Sequence, residues 1–344
     1  MSTHKATLAN FTCTIKKDNT VVPMLLFFMD IIYPALSDTT IYRTTQKSTY
    51  YISDLKLVNL GDGNIALTGL HIKRTILDIH PDFDNKNGFK GETSHKPSAP
   101  YSTFIILLNN HRVIYYPCLS GAPGIRTFAS TINHIIFTYV SKKRSELQSK
   151  LITKNIDNKR EYIFGDETYT KISDFRKNVL DKKFPFPETN IVAIASDQLV
   201  IEAFEKLIEI KSVSFKFYKP NNEPLNFNNF FEKSYDMLNQ TSSTSMHQIF
   251  NNPQNKEMIK NGVITSNGKT DYTINGISTD NEMTQIKPDT VSSKINIHVN
   301  DEDNVEKQTE NVYNQLKNRS EIKEVSKQNL KLFNKIKSFI ASFI

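Results

Sequence analysis

Tryptophan is absent from this chain of 344 residues, and cysteine occurs only twice, at Cys13 and Cys118. Both cysteines lie in apolar, strand-like surroundings, and neither has the Cys-x-x-Cys or Cys/His spacing of a metal site. These absences exclude a disulfide-rich secreted scaffold and a cysteine-based zinc motif. They predict two buried free thiols in a reducing compartment.

Long uninterrupted apolar runs are also absent. The longest run, residues 21–36, contains Pro23, Asp30 and Pro34, so it is too short and too interrupted to cross a bilayer as a helix. Residues 1–10 carry no apolar signal core. The sequence therefore predicts a cytoplasmic protein.

Negative charge is in the minority. The chain has 43 lysines and arginines against 36 aspartates and glutamates, a formal net charge of +7. A basic surface suits polyanions such as nucleic acid or an anionic membrane. With 38% hydrophobic residues, the chain is long enough for two domains with a sizeable core.

The first half of the chain shows strand patterns joined by turn residues. Residues 5–16 alternate as an opening strand, and residues 21–36, apolar nearly all round, predict one buried helix. A Gly-Asp-Gly turn at residues 61–63 predicts a hairpin. A second hairpin is predicted over residues 101–117, whose strands are apolar on both faces and so belong centrally in a sheet. Residues 125–140 have apolar positions at helical spacing.

The second half of the chain alternates strand and helix patterns. It predicts a strand–helix–strand unit over residues 188–220, a third hairpin around Asn267 and Gly268, and one long helix over residues 305–344. The fold class is therefore α+β, with a mixed, mostly antiparallel sheet, hairpins, a strand–helix–strand unit and a long C-terminal helix. The predicted parts are an N-terminal α+β domain (1–140), a basic helical and loop segment (141–187), a second α+β domain (188–303) and a C-terminal amphipathic helix (304–344).

A glycine-containing loop at residues 119–126 lies between a predicted strand and a predicted helix, where free helix N–H groups can meet an anion. Only two residues separate Gly121 from Gly124, and Ile-Arg follows, so neither the P-loop nor the GxGxxG motif is present. The pattern predicts a strand-to-helix corner. The alternative is a weak phosphate contact through both glycines, Ser120 and Arg126.

One group of residues could hold a divalent metal. His80, Asp82 and Asp84 offer an imidazole and two carboxylates within a short stretch. No ExK pattern on an adjoining strand completes a nuclease site. The pattern predicts a solvated aspartate-rich turn, with a metal-dependent nuclease as the alternative.

Nucleophilic catalysis has no recognisable motif. The chain has no GxSxG elbow, and Cys118 could pair with His111 or His134 only if the fold brings them together. We therefore assign no catalytic residue, no metal site and no cofactor, and expect a protein that is not an enzyme.

Residues 141–184 carry most of the excess positive charge, with twelve lysines and arginines against seven aspartates and glutamates, a net +5. Five aromatic residues are interleaved with them. The cations expected to contact phosphate are Lys142, Lys143, Arg144, Lys159, Arg160, Arg176 and Lys177. Such contacts do not read bases, so binding is expected to be salt-sensitive and largely independent of sequence. The alternative is a solvated helix–loop–helix with the aromatic residues packed beneath it.

The C-terminal segment combines an apolar stripe with a lysine stripe. The apolar stripe is Ile322, Val325, Leu332, Ile336, Phe339 and Phe343, and the lysine stripe is Lys323, Lys327, Lys331 and Lys335. Three interpretations stay open. The helix docks on its own domain or self-associates as a coiled coil, lies on an anionic membrane, or presents its lysines to nucleic acid.

The order of elements resembles a known family. The hairpin "STFIILLNNHRVIYY" precedes a Gly/Pro turn and helix, "GAPGIRTFASTI". Later come "LIEIKSVSFKFYKP" and "KNGVITSNGKTDYTINGIS", then a final strand and a charged C-terminal helix. From residue 101 onward the chain resembles the RexA-like exclusion proteins of phage defence. The resemblance implies a dimeric α+β DNA-binding protein that acts in abortive infection, with a membrane or effector partner from the same operon and no catalytic residues.

Charge, composition and resemblance together predict a non-enzymatic, largely sequence-independent nucleic-acid-binding protein of a phage-defence system. We expect a homodimer that binds DNA or RNA through its basic surface. Two alternatives stay open: the metal-dependent nuclease, and a protein-interaction or membrane-surface module that acts through the C-terminal helix.

Overall fold

A computed structural model gives the structure of this chain, and it describes residues 1–17, 20–61, 63–79, 82–86, 88–90, 93–156, 159–219, 229–266, 268–323 and 325–341. The strands are β1 (Ser2–Lys17), β2 (Thr20–Pro23), β3 (Arg43–Thr44), β4 (Ser48–Gly61), β5 (Asn64–Ile79), β6 (Asp82–Asp84), β7 (Gly88–Lys90), β8 (Ser94–Ser98), β9 (Tyr101–Leu107), β10 (Arg112–Pro117), β11 (Ile152–Ile156), β12 (Lys159–Phe164), β13 (Glu167–Tyr169), β14 (Pro187–Ala193), β15 (Leu207–Tyr218), β16 (Ser245–Asn251), β17 (Thr270–Ser278), β18 (Met283–Ile286) and β19 (Ile295–Val299).

The α-helices are α1 (Tyr33–Ser37), α2 (Ile125–Ser149), α3 (Ile172–Phe175), α4 (Asp181–Lys183), α5 (Asp197–Glu205), α6 (Asn229–Gln240), α7 (Lys256–Thr265), α8 (Val305–Leu316), α9 (Ser320–Lys323) and α10 (Lys327–Ala341). A 3-10 turn covers Met24–Phe27, and π-helical segments cover Phe28–Ile32 and Arg176–Leu180. This content of helix and strand confirms the predicted α+β class.

The larger sheet has the strand order β14-β1-β10-β9-β5-β4-β3. Strands β2 and β19 also pair with β1, and β8 pairs with β5. These pairings are antiparallel. The hairpin predicted over residues 101–117 forms β9 and β10 near the middle of the order, as the sequence predicts.

Both faces of the central strands are buried because side chains alternate between the two faces along a strand. Phe104 and Ile106 of β9 lie in a core that includes residues of α2 and α10. Ile105 and Leu107 lie in a second core that includes residues of α8. Helices on both faces explain why β9 and β10 are continuously apolar rather than alternating.

The smaller sheet has the order β16-β15-β17-β18, and helices α5, α6 and α7 contribute to its core. Its residues lie along the chain between β14 and β19, and both of those strands pair with β1. The smaller sheet is therefore an insertion between two strands of the larger one. Two chain segments, which we call the crossings, connect the smaller sheet to the larger one. An isolated antiparallel β-bridge between Ala195 and Ser292 joins them.

The predicted strand–helix–strand unit forms β14, α5 and β15 in that order. Ser196 caps α5, because its Oγ accepts a hydrogen bond from the Leu199 amide at 3.5 Å. The two strands belong to different sheets, so the unit connects the sheets instead of building one of them.

The single helix predicted over residues 21–36 is wrong. The first residues of this stretch lie in β2, and a 3-10 turn, a π-helical segment and α1 follow. Proline has no amide hydrogen, so Pro34 cannot donate to the preceding turn of a regular α-helix. The apolar pattern predicts the burial of this segment correctly, since Phe28, Ile31 and Ile32 are buried.

The predicted third hairpin is also wrong. Its first arm is helix α7, which Asn255 caps by accepting a hydrogen bond from the Met258 amide at 2.9 Å. Ile259 and Val263 are four residues apart and lie on its buried side. Only the second arm is a strand, β17, and it pairs with β15 and β18.

The long C-terminal helix is broken into α8, α9 and α10, so the prediction of one helix is wrong. Helix α8 packs on one face of the larger sheet and α10 on the other. An unbroken helix over residues 305–344 would be about 60 Å long and could not contact both faces. Separate side-chain caps start α8 and α10: Asn304 Oδ1 accepts from the Lys307 amide, and Ser326 Oγ accepts from the Asn329 amide.

Candidate nucleic-acid interface

The basic segment forms a small unit beside the end of α2. Strands β11, β12 and β13 form an antiparallel sheet, and residues 172–183 follow as α3, a π-helical segment and α4. We call residues 152–183 the basic unit. The helix–loop–helix alternative is therefore wrong in its architecture.

Aromatic residues form the core of the basic unit. Tyr169 and Phe175 are buried, and Tyr162 and Phe164 pack against them. The ring centroids of Phe164 and Phe175 are 5.3 Å apart. The prediction that the aromatic residues pack beneath the basic surface is thus confirmed. This cluster supports the elements that carry the surface cations.

Two of the predicted contact residues on α2 have acidic partners. Lys142 Nζ lies 3.2 Å from Asp38 Oδ2, and Lys143 Nζ lies 2.8 Å from Glu146 Oε2. Hydrogen bonds from Thr40 and Lys142 hold the pKa of Asp38 below its usual value. Each lysine therefore meets a carboxylate that already balances its charge.

Arg144, the next residue on α2, joins two elements of the fold. Its Nη1 lies 2.8 Å from Asp181 Oδ1 and donates to the Phe184 carbonyl at 3.0 Å. The guanidinium also lies over the Phe186 ring, 4.6 Å from its centroid. Its side chain is only 16% exposed. Arg144 thus fixes α4 against α2 and offers little surface to a ligand.

Three other predicted contact residues are exposed: Arg160 on β12, and Arg176 and Lys177 at the start of the π-helical segment. Within the described ranges, no carboxylate lies within ion-pair distance of these three. Val179 and Leu180 of the same segment are buried in the aromatic core. Packing of these two residues holds the backbone that carries Arg176 and Lys177.

Lys159 is the first residue of β12 and pairs with Ile156 in the hairpin. Its side chain lies outside the described part of the structure, so its predicted phosphate contact stays a prediction. Other exposed cations of the basic unit are Lys154, Lys171, Lys182 and Lys183. Lys183 Nζ lies 5.7 Å from the centroid of the Phe164 ring, which links α4 to β12.

The glycine loop is a strand-to-helix corner between β10 and α2. Gly121 has a φ of +76°, a conformation that residues with a Cβ rarely adopt, and Gly124 is the N-cap of α2. Arg126 Nε donates to Asp289, and its Nη2 lies 3.7 Å from Asp271 Oδ1. The phosphate-contact alternative needs the Arg126 guanidinium to bind an anion, but this guanidinium is already paired with two carboxylates.

The same arginine lines a cavity of about 140 Å³ between the two sheets, together with Asn190 of β14 and both aspartates. Burial raises the pKa of Asp271, although Arg126 lowers it in part. The Asn190 amide nitrogen is buried and has no hydrogen-bond partner within the described ranges. No local sequence motif contains this cluster, because Arg126 and Asp289 are 163 positions apart.

The cysteine–histidine pairing does not form between Cys118 and His111. The two residues flank β10 at opposite ends, about 20 Å apart along the strand. His111 is buried, and burial lowers its pKa to about 3. Cys118 instead lies 3.2 Å from Thr103 Oγ1, and His134 is on the exposed side of α2. Cys13 and Cys118 are both free thiols, as predicted. Cys13 is fully buried, but Cys118 is only partly buried, so the prediction of two buried thiols is wrong for Cys118.

The side chains of the predicted metal site lie outside the described part of the structure. His80 is not among the described residues, and Asp82 and Asp84 are described only by their backbone in β6. Where side chains are described, no group of three or more histidine, cysteine, aspartate or glutamate residues could hold a metal ion. The site of His80, Asp82 and Asp84 stays a prediction.

Helix α10 docks on the larger sheet of its own chain. Phe333 and Ile340 are buried in the same core as α2, and Leu332 and Ile336 pack against it. Of the open interpretations, docking on its own domain is therefore confirmed. The lysines at 323, 327, 331 and 335 are all exposed.

No family model matches the chain, and no curated protein matches it. Among the described helices, none has both the length and the apolar character that crossing a membrane requires.

Proposed function

We propose that this chain is a non-enzymatic protein that binds nucleic acid through the basic unit, largely independently of sequence. The observation that supports the proposal is a set of exposed cations on a folded aromatic core, Arg160, Arg176 and Lys177, for which the described residues provide no acidic partner. This assignment narrows the surface predicted from the sequence, because the cations of α2 have partners of their own.

The difference between the two groups of cations is energetic. An unpaired exposed cation gains the full attraction of a phosphate and releases the counterions around it. A paired cation must first give up its carboxylate, or bring that negative charge close to the phosphate. Arg176 and Lys177 are therefore expected to contribute more to binding than Lys142 and Lys143.

A pair of matched double variants tests this proposal. Arg176→Gln with Lys177→Gln and Lys142→Gln with Lys143→Gln change the net charge by the same amount. Fluorescence anisotropy with duplex DNA and duplex RNA is measured between about 50 and 200 mM salt. The first variant should lose about tenfold in affinity and about 1.8 in the slope of log K against log salt, and the second should keep its slope within about 0.5.

Two results would contradict the proposal. Wild-type protein that retains neither DNA nor RNA at low salt is not a nucleic-acid-binding protein. Equal losses in the two variants would mean that net charge alone, rather than the basic unit, determines binding.

On the RexA-like resemblance we propose, in addition, a cytoplasmic homodimer that acts in phage defence with a membrane or effector partner from the same operon. Bacteria that express the chain should then form fewer plaques when challenged with phage. The Arg176→Gln, Lys177→Gln variant should lose that protection. Unchanged plaque numbers with wild-type protein and its neighbouring genes present would remove the defence role.

A further inference from the structure

Strand β16 forms one edge of the smaller sheet. It pairs with β15 over its whole length, from Ser245 opposite Tyr218 to Asn251 opposite Ser212. Within the part of the chain that the structure describes, no second strand pairs with it. Its other side therefore presents backbone donors and acceptors of an edge strand.

The register identifies which residues of β16 direct their backbone N–H and C=O groups away from β15. The Lys219 amide donates to the Thr244 carbonyl at 2.9 Å, and the Asn252 amide donates to the Lys211 carbonyl at 2.8 Å. Hydrogen-bonded pairs alternate in an antiparallel ladder, so Met246, Gln248 and Phe250 direct their backbone groups toward β15. The backbone N–H and C=O groups at positions 245, 247, 249 and 251 point away from the sheet.

Strand β16 lacks the protection that charged residues, proline or a bulge usually give to an edge strand. Strand β16 contains no lysine, no other formally charged residue and no proline, and its register with β15 has no bulge. The side chain of Ile249 is 61% exposed. The opposite edge strand, β18, is only four residues long, and Lys287 and Pro288 follow it directly. One edge of the same sheet is thus protected and the other is not.

We propose that β16 pairs with β16 of a second copy of this chain, antiparallel about a twofold axis at Gln248. The outward-facing positions then meet one another, 245 with 251 and 247 with 249, and form about eight backbone hydrogen bonds. The two four-stranded sheets become one sheet of eight strands.

The strand is its own complement in this register. Met246 lies opposite Phe250 of the partner subunit on the helix-covered face, where both residues already pack against the core. His247 lies opposite Ile249 of the partner subunit on the other face, so no like charges meet. This match of each position with its symmetric counterpart favours a second copy over an unrelated extended peptide.

The twofold axis provides a crosslinking test. Gln248 lies opposite its own counterpart in a non-hydrogen-bonded pair, whose Cα atoms are about 4.5 Å apart, within the range of a disulfide. Under mild oxidation, Gln248→Cys should give a covalent dimer of the full-length chain on a non-reducing gel. Asn275→Cys, on the central strand β17, is the matched control and should not give one.

Light scattering after size-exclusion chromatography tests the dimer itself, in the absence of nucleic acid. Wild-type protein should be dimeric at micromolar concentration, and Ile249→Pro should be monomeric. The proline removes an outward-facing N–H and leaves the bonds to β15 in place. Ile208→Lys, at another exposed isoleucine, is the control and should stay dimeric. Circular dichroism shows whether each variant is folded.

The proposal is overturned if the wild-type chain is monomeric, or if Ile249→Pro is folded and still dimeric. A monomer that binds an unrelated extended peptide along β16 also overturns it. Since no nucleic acid is present, none of these results bears on the proposed binding by the basic unit. A monomeric wild-type chain would also contradict the proposed homodimer, whereas a folded, dimeric Ile249→Pro variant would contradict only the pairing through β16.

Discussion

His71 of β5 and His111, in the turn between β9 and β10, are both buried, and among the described residues neither forms an ion pair with a carboxylate. The Nδ1 atom of His71 lies 3.0 Å from the Tyr115 hydroxyl, and its Nε2 lies 3.2 Å from Thr131 Oγ1. Burial lowers the pKa of both histidines to about 3. Both rings are therefore neutral in the folded protein at pH 7, whereas in the unfolded chain they take up protons below pH ~6.5.

This difference predicts that stability falls in mild acid. The folded pKa values are depressed, so the stabilisation is complete above pH ~6.5 and is lost as the pH decreases towards 3. The two histidines together should give a slope of about 2.7 kcal/mol per pH unit. Urea unfolding at several pH values should show that His71→Asn removes about half of this slope.

For individual residues, the sequence predicts where charges occur along the chain but not which charges form ion pairs. It identifies Arg126, Lys142 and Arg144 from local patterns alone. Their partners Asp289, Asp38 and Asp181 come from other elements of the chain. Pairing across such distances depends on the fold, so no local pattern shows that Arg144 supports α4 rather than facing a ligand.

Among the elements, prediction succeeds where one local signal is strong. The hairpin of β9 and β10 is apolar on both faces and flanks a turn, and α2 has clear helical spacing. It fails where helix and strand patterns overlap, as in α7, and where packing breaks a long helix, as between α8 and α10. In these places tertiary contacts override local preference.

Helix α10 provides a test of this packing. Phe333 is 1% exposed and lies in the main core, so Phe333→Ala should lower the free energy of unfolding by about 3–5 kcal/mol. Lys331→Ala, on the exposed side of the same helix, should change it by less than about 0.5 kcal/mol. Urea denaturation gives both values. A small loss for Phe333→Ala would mean that α10 is not docked in solution.

For the whole molecule, the inserted smaller sheet is attached to the larger sheet by two adjacent crossings. Ion pairs span the two parts: Arg126 with Asp271 and Asp289, and Lys216 with Glu188 at 3.5 Å. Most of these side chains are partly exposed, so each pair is expected to contribute little to stability. Together, however, the ion pairs are expected to restrict movement of the insertion relative to the larger sheet.

Removing these ion pairs should therefore loosen the crossings without unfolding either sheet. Arg126→Gln with Lys216→Gln should raise amide hydrogen exchange several-fold at residues 194–197 and 291–295 and leave β9 protected. Lys211→Gln with Lys260→Gln breaks two ion pairs inside the insertion and serves as the control. Equal exchange at the crossings in both variants would show that the ion pairs do not hold the insertion in place.

The pairing of β1 with four other strands also affects how the chain is made. Ser2 pairs with Val299, and these residues are 297 positions apart. At a synthesis rate of about 5–20 residues per second, β1 would wait about 15–60 s after leaving the ribosome before β19 is complete. During that interval one end of an apolar strand lacks its final neighbour, so a chaperone that shields nascent chains should increase the yield of correctly assembled protein.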